Sequence, residues 1–379
     1  MRSRRHIPRL AAVVAGVVAL AVAALCLSGC LGLSKKVTVA AQVGDIVISE
    51  EDVTAYIEGF RSQDDDRATD SGWALYLSAN GYTAESFRQK VLDEVFIPEA
   101  SVRIQAQAHN IVVTDEELDS VIEAEKAFYE ESYGADSWTS VLASFGYDEK
   151  SWSESEMNRL LKERLADEVV GKPEPTQDQL MEYGPDIAPR FNGKHSYFAA
   201  FDTQEAGESA LASLGGAGAS IKFSAFKKMA ELYAAAAELA ANAAEEQPQD
   251  AEPSVYSQAS GMQDAGWGSL TNTLQNSNNS YTNALNKLDV GTVSELAEVE
   301  EGHWVLIFCD AAYVFQENDL YDTASMPADI WSAVHDAVRD QLREDAFSSW
   351  LATAMEGEAI VVNAMPSGLP YDVNNKMQH

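Results

Sequence analysis

The segment AQVGDIVISEED, residues 41–52, contains the signals that decide how the folded part of this chain begins. Apolar residues on both sides of Gly44 predict two short extended pieces, over 37–41 and 45–48. Ser49 then stands where a helix N-cap is expected, because acidic residues follow it directly. Apolar side chains next recur at helical spacing, at Val53, Tyr56, Ile57 and Phe60. The segment therefore predicts a pair of short strands that leads into an amphipathic helix.

Residues 50–190 continue with helical patterns. The motif TDEE at 114–117 is typical of a capping box and predicts the start of another helix. An earlier helix is predicted over residues 87–109, and Pro98 within it is expected to bend it. The polar residues 61–72, rich in Asp and Ser, predict a loop. The region as a whole is predicted to be a helical lobe with amphipathic faces.

The pattern changes after residue 190. The predicted elements are a strand over 195–201, helices over 203–214, 223–244 and 281–288, and strands over 292–299 and 304–308. This order predicts a small α+β domain over 191–313. An Ala/Glu/Gln/Pro tract at about 234–260 is expected to be a solvated insertion in it.

A long helix is predicted from about 327 to 356, within the last segment, 314–379. Its apolar residues approximate one face, at Ile330, Val334, Val338, Leu342, Trp350, Leu351 and Met355. The fold class predicted for the chain is therefore α+β, with a helical lobe over 40–190, a small α+β domain and a long C-terminal helix.

The composition excludes a wholly disordered chain and argues against one class of partner. The 379 residues are 46% apolar, which is enough for a packed core. Asp and Glu number 60 against 26 Lys and Arg, so the formal net charge is −34. Phosphate backbones would repel such a protein, so no nucleic-acid partner is expected.

The first 29 residues have the features of a secretion signal, a basic start followed by an apolar stretch over 11–27. The next residues, LSGC at 27–30, resemble the lipobox of bacterial lipoproteins, in which the signal is cut before a Cys that becomes lipidated. Cys30 is thus the predicted lipid anchor, with 30–39 as its tether, and the protein is expected on the outer face of the cell membrane. A plain transmembrane anchor is the alternative, because 17 apolar residues almost cross a bilayer.

Local motifs for catalysis or metal binding are not found in the sequence. The six histidines lack ligand spacing, Cys-x-x-Cys does not occur, and the glycines at 215–218 lack the Lys-Ser/Thr of a phosphate loop. Neither a metal site nor a cofactor is therefore predicted.

Several longer segments, in order, resemble the extracytoplasmic foldases of the SurA/PrsA type, which combine a helical chaperone lobe with a parvulin-like prolyl isomerase domain. Residues 41–51 and NIVVTDEEL at 110–118 are similar to segments of their helical lobe. DAGW at 264–267, ALNKLDVGTVS at 284–294 and GHWVL at 302–306 are similar to parvulin segments. The resemblance covers nearly all of the chain after Cys30, including the C-terminal helix that packs back on the helical lobe.

The resemblance implies a membrane-anchored foldase that assists the folding of secreted proteins. Its partners would be unfolded or nascent secreted polypeptides, together with the membrane through Cys30, and a homodimer is left open. The parvulin-like domain would accelerate X-Pro isomerisation, which otherwise takes about tens to hundreds of seconds.

The resemblance also implies site residues. His195 takes the place of the first parvulin His and Tyr281 that of the pocket Phe, so these two are the predicted catalytic residues. The predicted substrate-binding residues are Trp267, Leu285 and Trp304. Trp304 stands where a second His is expected and Val299 where Thr is expected, so weak or lost isomerase activity is predicted. A purely scaffolding role for His195 stays open.

The working surface of a chaperone would be apolar grooves of the helical lobe. The candidate lining residues, which could equally be ordinary core, are Tyr56, Phe60, Phe87, Val91, Phe128 and Trp138. The alternative function is a solute- or peptide-binding lipoprotein without chaperone or isomerase activity. That architecture needs two lobes of repeated strand-helix-strand units, whereas the predicted strands cluster in one small domain.

Overall fold

The computed structural model describes residues 38–243, 256–270, 278–321 and 324–373. The described residues divide into two compact units. We call 38–173 with 341–373 the helical unit, and the described part of 174–340 the mixed unit. Both contain helices and a small antiparallel sheet, so the predicted α+β class is confirmed.

The strands are β1 (Val39–Val43), β2 (Ile46–Ser49), β3 (Gly193–Phe201), β4 (Met262–Trp267), β5 (Ala297–Glu300), β6 (His303–Tyr313) and β7 (Ile360–Val362). The helices up to residue 144 are α1 (Glu50–Ser62), α2 (Asp65–Ala68), α3 (Asp70–Ala79), α4 (Ala84–Val91), α5 (Ile97–Ala108), α6 (Asp115–Tyr133) and α7 (Trp138–Ser144). The later helices are α8 (Glu149–Val169), α9 (Gln177–Ile187), α10 (Gln204–Ser213), α11 (Phe223–Ala243), α12 (Asn279–Asn286) and α13 (Ala328–Glu356). Among the described residues, no helix combines the length and the apolar composition that a membrane span needs.

The helical unit begins with the predicted strand pair and helix. Its sheet has the order β2-β1-β7, and Ala41 of the central strand pairs with Ile48 on one side and Val362 on the other. Gly44 adopts φ +55° in the turn, a conformation that suits glycine. Ser49 caps α1 as predicted, because its Oγ accepts a hydrogen bond from the Asp52 amide at 3.1 Å.

One sequence-based expectation about this unit was wrong. Residues 61–72 are not a loop, since α1 ends at Ser62 and α2 and α3 follow at once. Asp64 and Thr69 cap these helices with their side chains, so the polar residues of this stretch are helix-start signals. Pro98 stands in the first turn of α5, two residues after a π-helical turn over Leu92–Phe96 that joins α4 to α5 without a break in the helix. The bend expected at Pro98 stays a prediction.

A buried polar network joins distant parts of the helical unit. Arg88 of α4 donates to both carboxylate oxygens of Glu50, the first residue of α1, and to the main-chain oxygen of Asn363. The hydroxyl of Tyr371 donates to Glu50 Oε1 at 3.2 Å. The indole of Trp73 donates to the main-chain oxygen of Tyr371 at 2.9 Å. The network therefore fixes 363–371 against α1, α3 and α4.

The second half of α13 belongs to the helical unit. Its Phe347 and Leu351 pack in one buried cluster with Val102 of α5 and Leu165 and Ala166 of α8. The predicted helix over 327–356 is thus found almost residue for residue, and its end contributes to the core of this unit.

The mixed unit is built on a sheet of order β4-β3-β6-β5, in which all pairs are antiparallel. Buried side chains cluster separately around alternate residues of β3, with Phe198 and Ala200 in one cluster and Ala199 and Phe201 in the other. Helix α12 contributes to the first cluster and α11 to the second. The strand predicted over 292–299 is shorter and lies later in the chain, as β5 (Ala297–Glu300). Thr292 and Val293 form only isolated bridges. Of the tract at 234–260, residues up to 243 continue α11, and 244–255 lie outside the described residues.

Candidate functional site

His195 lies on β3 in acidic surroundings. Its Nε2 is 3.2 Å from Asp264 Oδ1, and its Nδ1 is 3.7 Å from Asp310 Oδ2. The ring meets those of Tyr197 and Trp267 edge-on, with centroids 5.1 and 5.4 Å away. The side chain is 14% exposed, and Nδ1 has no hydrogen-bond partner among the described residues. The imidazole is therefore held in place while it keeps a solvent-facing edge.

Tyr281 lies in the core of the mixed unit. The side chain is 0% exposed, and its hydroxyl lies 3.0 Å from the hydroxyl of Ser196. Its ring meets that of Phe198 edge-on at 5.8 Å. Burial raises the pKa of the Tyr281 phenol well above its ordinary value, so the phenol stays neutral. Leu285, one turn further along α12, is buried in the same cluster.

The five predicted site residues of this unit fall into three places. His195 and Trp267 form a cross-strand pair. Tyr281 and Leu285 share a core cluster, whereas Trp304 pairs with Phe201 and packs against the other cluster. Among the described residues, His195 and Tyr281 share neither a hydrogen bond nor a ring contact. The catalytic and substrate-binding roles assigned to these residues stay predictions.

Ser196, which sequence reasoning did not single out, is the polar residue of β3 that meets Tyr281. Neighbouring residues of a strand point to opposite faces, so a side chain next to His195 is expected on the other face of the sheet. This alternation was the signal that could have identified Ser196. Cys30 lies outside the described residues, and its lipidation stays a prediction. Within the described residues, no three or more His, Cys, Asp or Glu side chains are grouped as metal ligands.

The helical unit has an exposed apolar feature that we call the aromatic surface, formed by Phe128 and Tyr133 of α6. Tyr133 is 71% exposed and Phe128 is 40% exposed. Beside Tyr133 runs an open groove of about 470 Å³, whose lining includes Asp136, Ser140 and Val141. Phe128 and Tyr133 both contact the ring of Tyr129, and exposed apolar patches on a protein surface often mark binding sites.

Further aromatic rings connect the aromatic surface with the core. Tyr129 stacks on Tyr133 with ring centroids 6.2 Å apart and lies 5.9 Å from Trp138 of α7. Trp138 is buried and meets Trp152 of α8 edge-on at 6.0 Å. The exposed rings therefore rest on packed rings from three helices.

Only some of the candidate lining residues that the sequence suggested are accessible to solvent. Phe128 is exposed and Phe60 is partly buried. The remaining four, Tyr56, Phe87, Val91 and Trp138, are ordinary core. Tyr133 was missed, although its position one helical turn after Tyr129 and just before Gly134 was a signal for an aromatic pair at a helix end.

Two partly buried carboxyl groups of the helical unit have raised pKa values. Glu125 of α6 accepts a hydrogen bond from the Trp152 indole at 2.9 Å. Burial, and to a smaller extent the charge of Glu156, raise the pKa of Glu125 to about 7. Burial likewise raises the pKa of Glu99 on α5 to about 7, against the opposing effect of Arg103. Both carboxyls can therefore exchange protons near neutral pH.

Residues 1–166 match the family of SurA-like N-terminal domains. A comparison with curated proteins gave no significant match.

Solved structures with some likeness to the chain include a SurA-like chaperone from Campylobacter jejuni, at 13% identity and TM-score 0.34, covering 86% of this chain and 99% of that one. The foldase PrsA from Streptococcus pneumoniae is 13% identical with TM-score 0.33, covering 88% of this chain and 96% of that one. The foldase PrsA from Lactococcus lactis is 12% identical with TM-score 0.34, covering 86% and 95%.

The family match covers the segments at 41–51 and 110–118 that carried the first part of the resemblance. It also includes α6 and α7, and so the aromatic surface. The resemblance is thereby confirmed for this part of the chain, and residues 1–166 match the SurA-like N-terminal domain.

Proposed function

We propose that this protein is an extracytoplasmic chaperone that is anchored to the membrane through a lipid on Cys30 and holds unfolded secreted polypeptides. The observation that carries the proposal is the aromatic surface, which lies inside the SurA-like match. Unfolded chains expose apolar side chains that a folded client hides, and aromatic rings offer these side chains a large contact area. The rings of Phe128 and Tyr133 rest on a packed core, so little conformational freedom is lost when a client binds.

The proposal assigns the mixed unit little or no isomerase activity. A proline pocket needs apolar side chains that a substrate can reach. Tyr281 and Leu285, which would line that pocket by resemblance, are buried in the core. His195 has a solvent-facing edge, but its contacts are Trp267, Tyr197 and two carboxylates. These placements favour a scaffold or a second client-binding surface over an efficient catalyst.

Suppression of aggregation tests the chaperone function. The full chain, kept in a mild non-ionic detergent, is mixed with a chemically unfolded client, and light scattering is followed over time. The double variant Phe128→Ser/Tyr133→Ser should suppress aggregation much less than the unchanged protein. Tyr321→Ser is the matched control, because Tyr321 is 68% exposed but lies in the mixed unit.

Circular dichroism would establish that each variant is folded. Equal suppression by the double variant and the unchanged protein would contradict the assignment of the aromatic surface. If the unchanged protein did not suppress aggregation at all, the chaperone function itself would be refuted.

A further inference from the structure

The aromatic surface is surrounded by acidic side chains. Helix α6 contains eight Asp and Glu residues and one basic residue, Lys126. Glu131 follows Phe128 by three positions, so the two side chains are neighbours on the helix surface. Asp136 lines the groove beside Tyr133. A segment bound here would have carboxylates on both sides of the rings.

Two carboxylates beside the rings, Glu131 and Asp136, are not neutralised by cations of the described residues. Lys126 lies 3.9 Å from Glu130 and is thus already engaged. Glu131 and Asp136 are exposed, and no ion pair involves either of them in the part of the chain that the structure describes. The net charge of −34 adds a field of the same sign. Cationic groups are therefore attracted to this surface, and anionic ones are repelled.

We infer that the aromatic surface selects client segments in which apolar residues are flanked by Lys or Arg, an inference that rests on the proposed chaperone function. The apolar residues pack on Phe128 and Tyr133, while the flanking cations approach Glu131 and Asp136. An Arg side chain can in addition stack on an exposed ring. Segments with acidic flanks are disfavoured because they place like charges together.

Three fluorescently labelled peptides test this inference. They share one unstructured apolar core and differ only in the flanking residues, which are Lys, Ser or Glu. Binding to the full chain in non-ionic detergent is measured by fluorescence anisotropy at low and high salt. At low salt the Lys-flanked peptide should bind about tenfold more tightly than the Glu-flanked one, and the ratio should shrink towards one at about 0.5 M salt.

The variant Glu131→Gln/Asp136→Asn should lower the ratio between Lys- and Glu-flanked peptides to about threefold or less. Asn suits position 136 because the residue there has φ +67°, which Asn tolerates. The matched control Glu116→Gln/Asp119→Asn removes two exposed carboxylates near the other end of α6. It should keep the ratio within about twofold of the unchanged protein, because these carboxylates lie more than two helical turns from Phe128 and attract the flanking cations more weakly.

Equal affinity of the Ser- and Lys-flanked peptides for the unchanged protein would overturn the inference and leave the chaperone function intact. A ratio that falls as much in the control as in Glu131→Gln/Asp136→Asn would also overturn it, since selection would then come from the overall charge. Absence of binding by all three peptides would instead refute the proposed client-binding function of the aromatic surface.

Discussion

Arg88 and Glu50 form a bidentate ion pair in the interior of the helical unit. Arg88 Nε lies 2.9 Å from Glu50 Oε1, and Arg88 Nη2 lies 2.6 Å from Glu50 Oε2. Both side chains are buried, and the Tyr371 hydroxyl occupies a further acceptor position of the carboxylate. A buried pair of this kind tolerates the loss of one partner poorly, because the other charge then stays in the core without compensation.

Arg88→Met should lower the free energy of unfolding of the helical unit by about 3 to 5 kcal/mol. Urea unfolding followed by tryptophan fluorescence measures this change, and Arg164→Met is the control. Arg164 pairs with Glu117 at the surface and donates to the main-chain oxygen of Val112, so its loss should destabilise the unit much less than the loss of Arg88. The double variant Glu50→Leu/Arg88→Met should be less destabilised than the sum of the single variants, since neither charge is left alone. Similar losses for Arg88→Met and Arg164→Met would contradict the importance of the buried pair.

The stability of the helical unit should decrease as the pH rises towards neutrality. Burial raises the pKa of Glu125 and of Glu99 from 4.5 to about 7, so below pH 4.5 both the folded and the unfolded forms are protonated. Between pH 4.5 and about 7 the unfolded chain releases protons that the folded unit retains. The free energy of unfolding therefore falls progressively as the pH rises through this range. Urea midpoints at about pH 5 and about pH 7.5 measure the difference.

Glu125→Gln and Glu99→Gln should each reduce this pH dependence, and together they should nearly remove it. The exposed Glu123 on the same helix as Glu125 supplies the control Glu123→Gln, which should leave the dependence as it is. An undiminished pH dependence in Glu125→Gln/Glu99→Gln would show that other groups titrate in this range.

The full chain should catalyse X-Pro isomerisation weakly or not at all. A protease-coupled assay compares the unchanged protein, His195→Ala and the uncatalysed reaction, whose time constant is about 10 to 100 s. The first two rates should agree, because the buried Tyr281 and Leu285 offer a proline no open pocket. Clear catalysis that disappears in His195→Ala would establish a working parvulin-like site and refute the scaffold assignment.

Cys30→Ser should release the protein from the membrane. When cells of a bacterial host are fed a labelled fatty acid, the unchanged protein should incorporate the label and the variant should not. Cys309→Ser is the control, since that thiol is buried in the mixed unit. Label in Cys30→Ser, or its absence from the unchanged protein, would contradict the lipid anchor.

Local signals predicted much of the fold. The caps at Ser49 and Thr114 and the long helix ending at Glu356 were found where side-chain spacing indicated them. The helices over Asp65–Ala68 and Asp70–Ala79 were missed because their caps lie among other polar residues. Trp73 and Leu77, one turn apart and both buried, were the apolar signal that outweighed this polarity.

The candidate site was harder to predict because it is assembled in three dimensions. Matching along the chain assigned His195 and Tyr281 to one pocket, whereas in the fold the hydroxyl of Tyr281 meets Ser196. An error of one residue in aligning a strand assigns each of its side chains to the opposite face of the sheet. A degenerate motif does not determine the alignment to within one residue. The solvent exposure of single aromatic side chains could not be predicted either, since the sequence does not distinguish the buried Trp138 from the exposed Tyr133.

The hydrogen bond from Trp73 to Tyr371 joins residues 298 positions apart, and β1 pairs with β7 over a comparable span. At synthesis rates of about 5 to 20 residues per second, the ribosome needs about 15 to 60 s to supply the second partner after the first. Throughout that time the sheet of the helical unit lacks β7, and the Glu50 carboxylate lacks the hydrogen bond from Tyr371. A protein proposed to shelter unfinished chains must therefore itself wait, with its N-terminal half incomplete, until the residues from β7 to Tyr371 have been made.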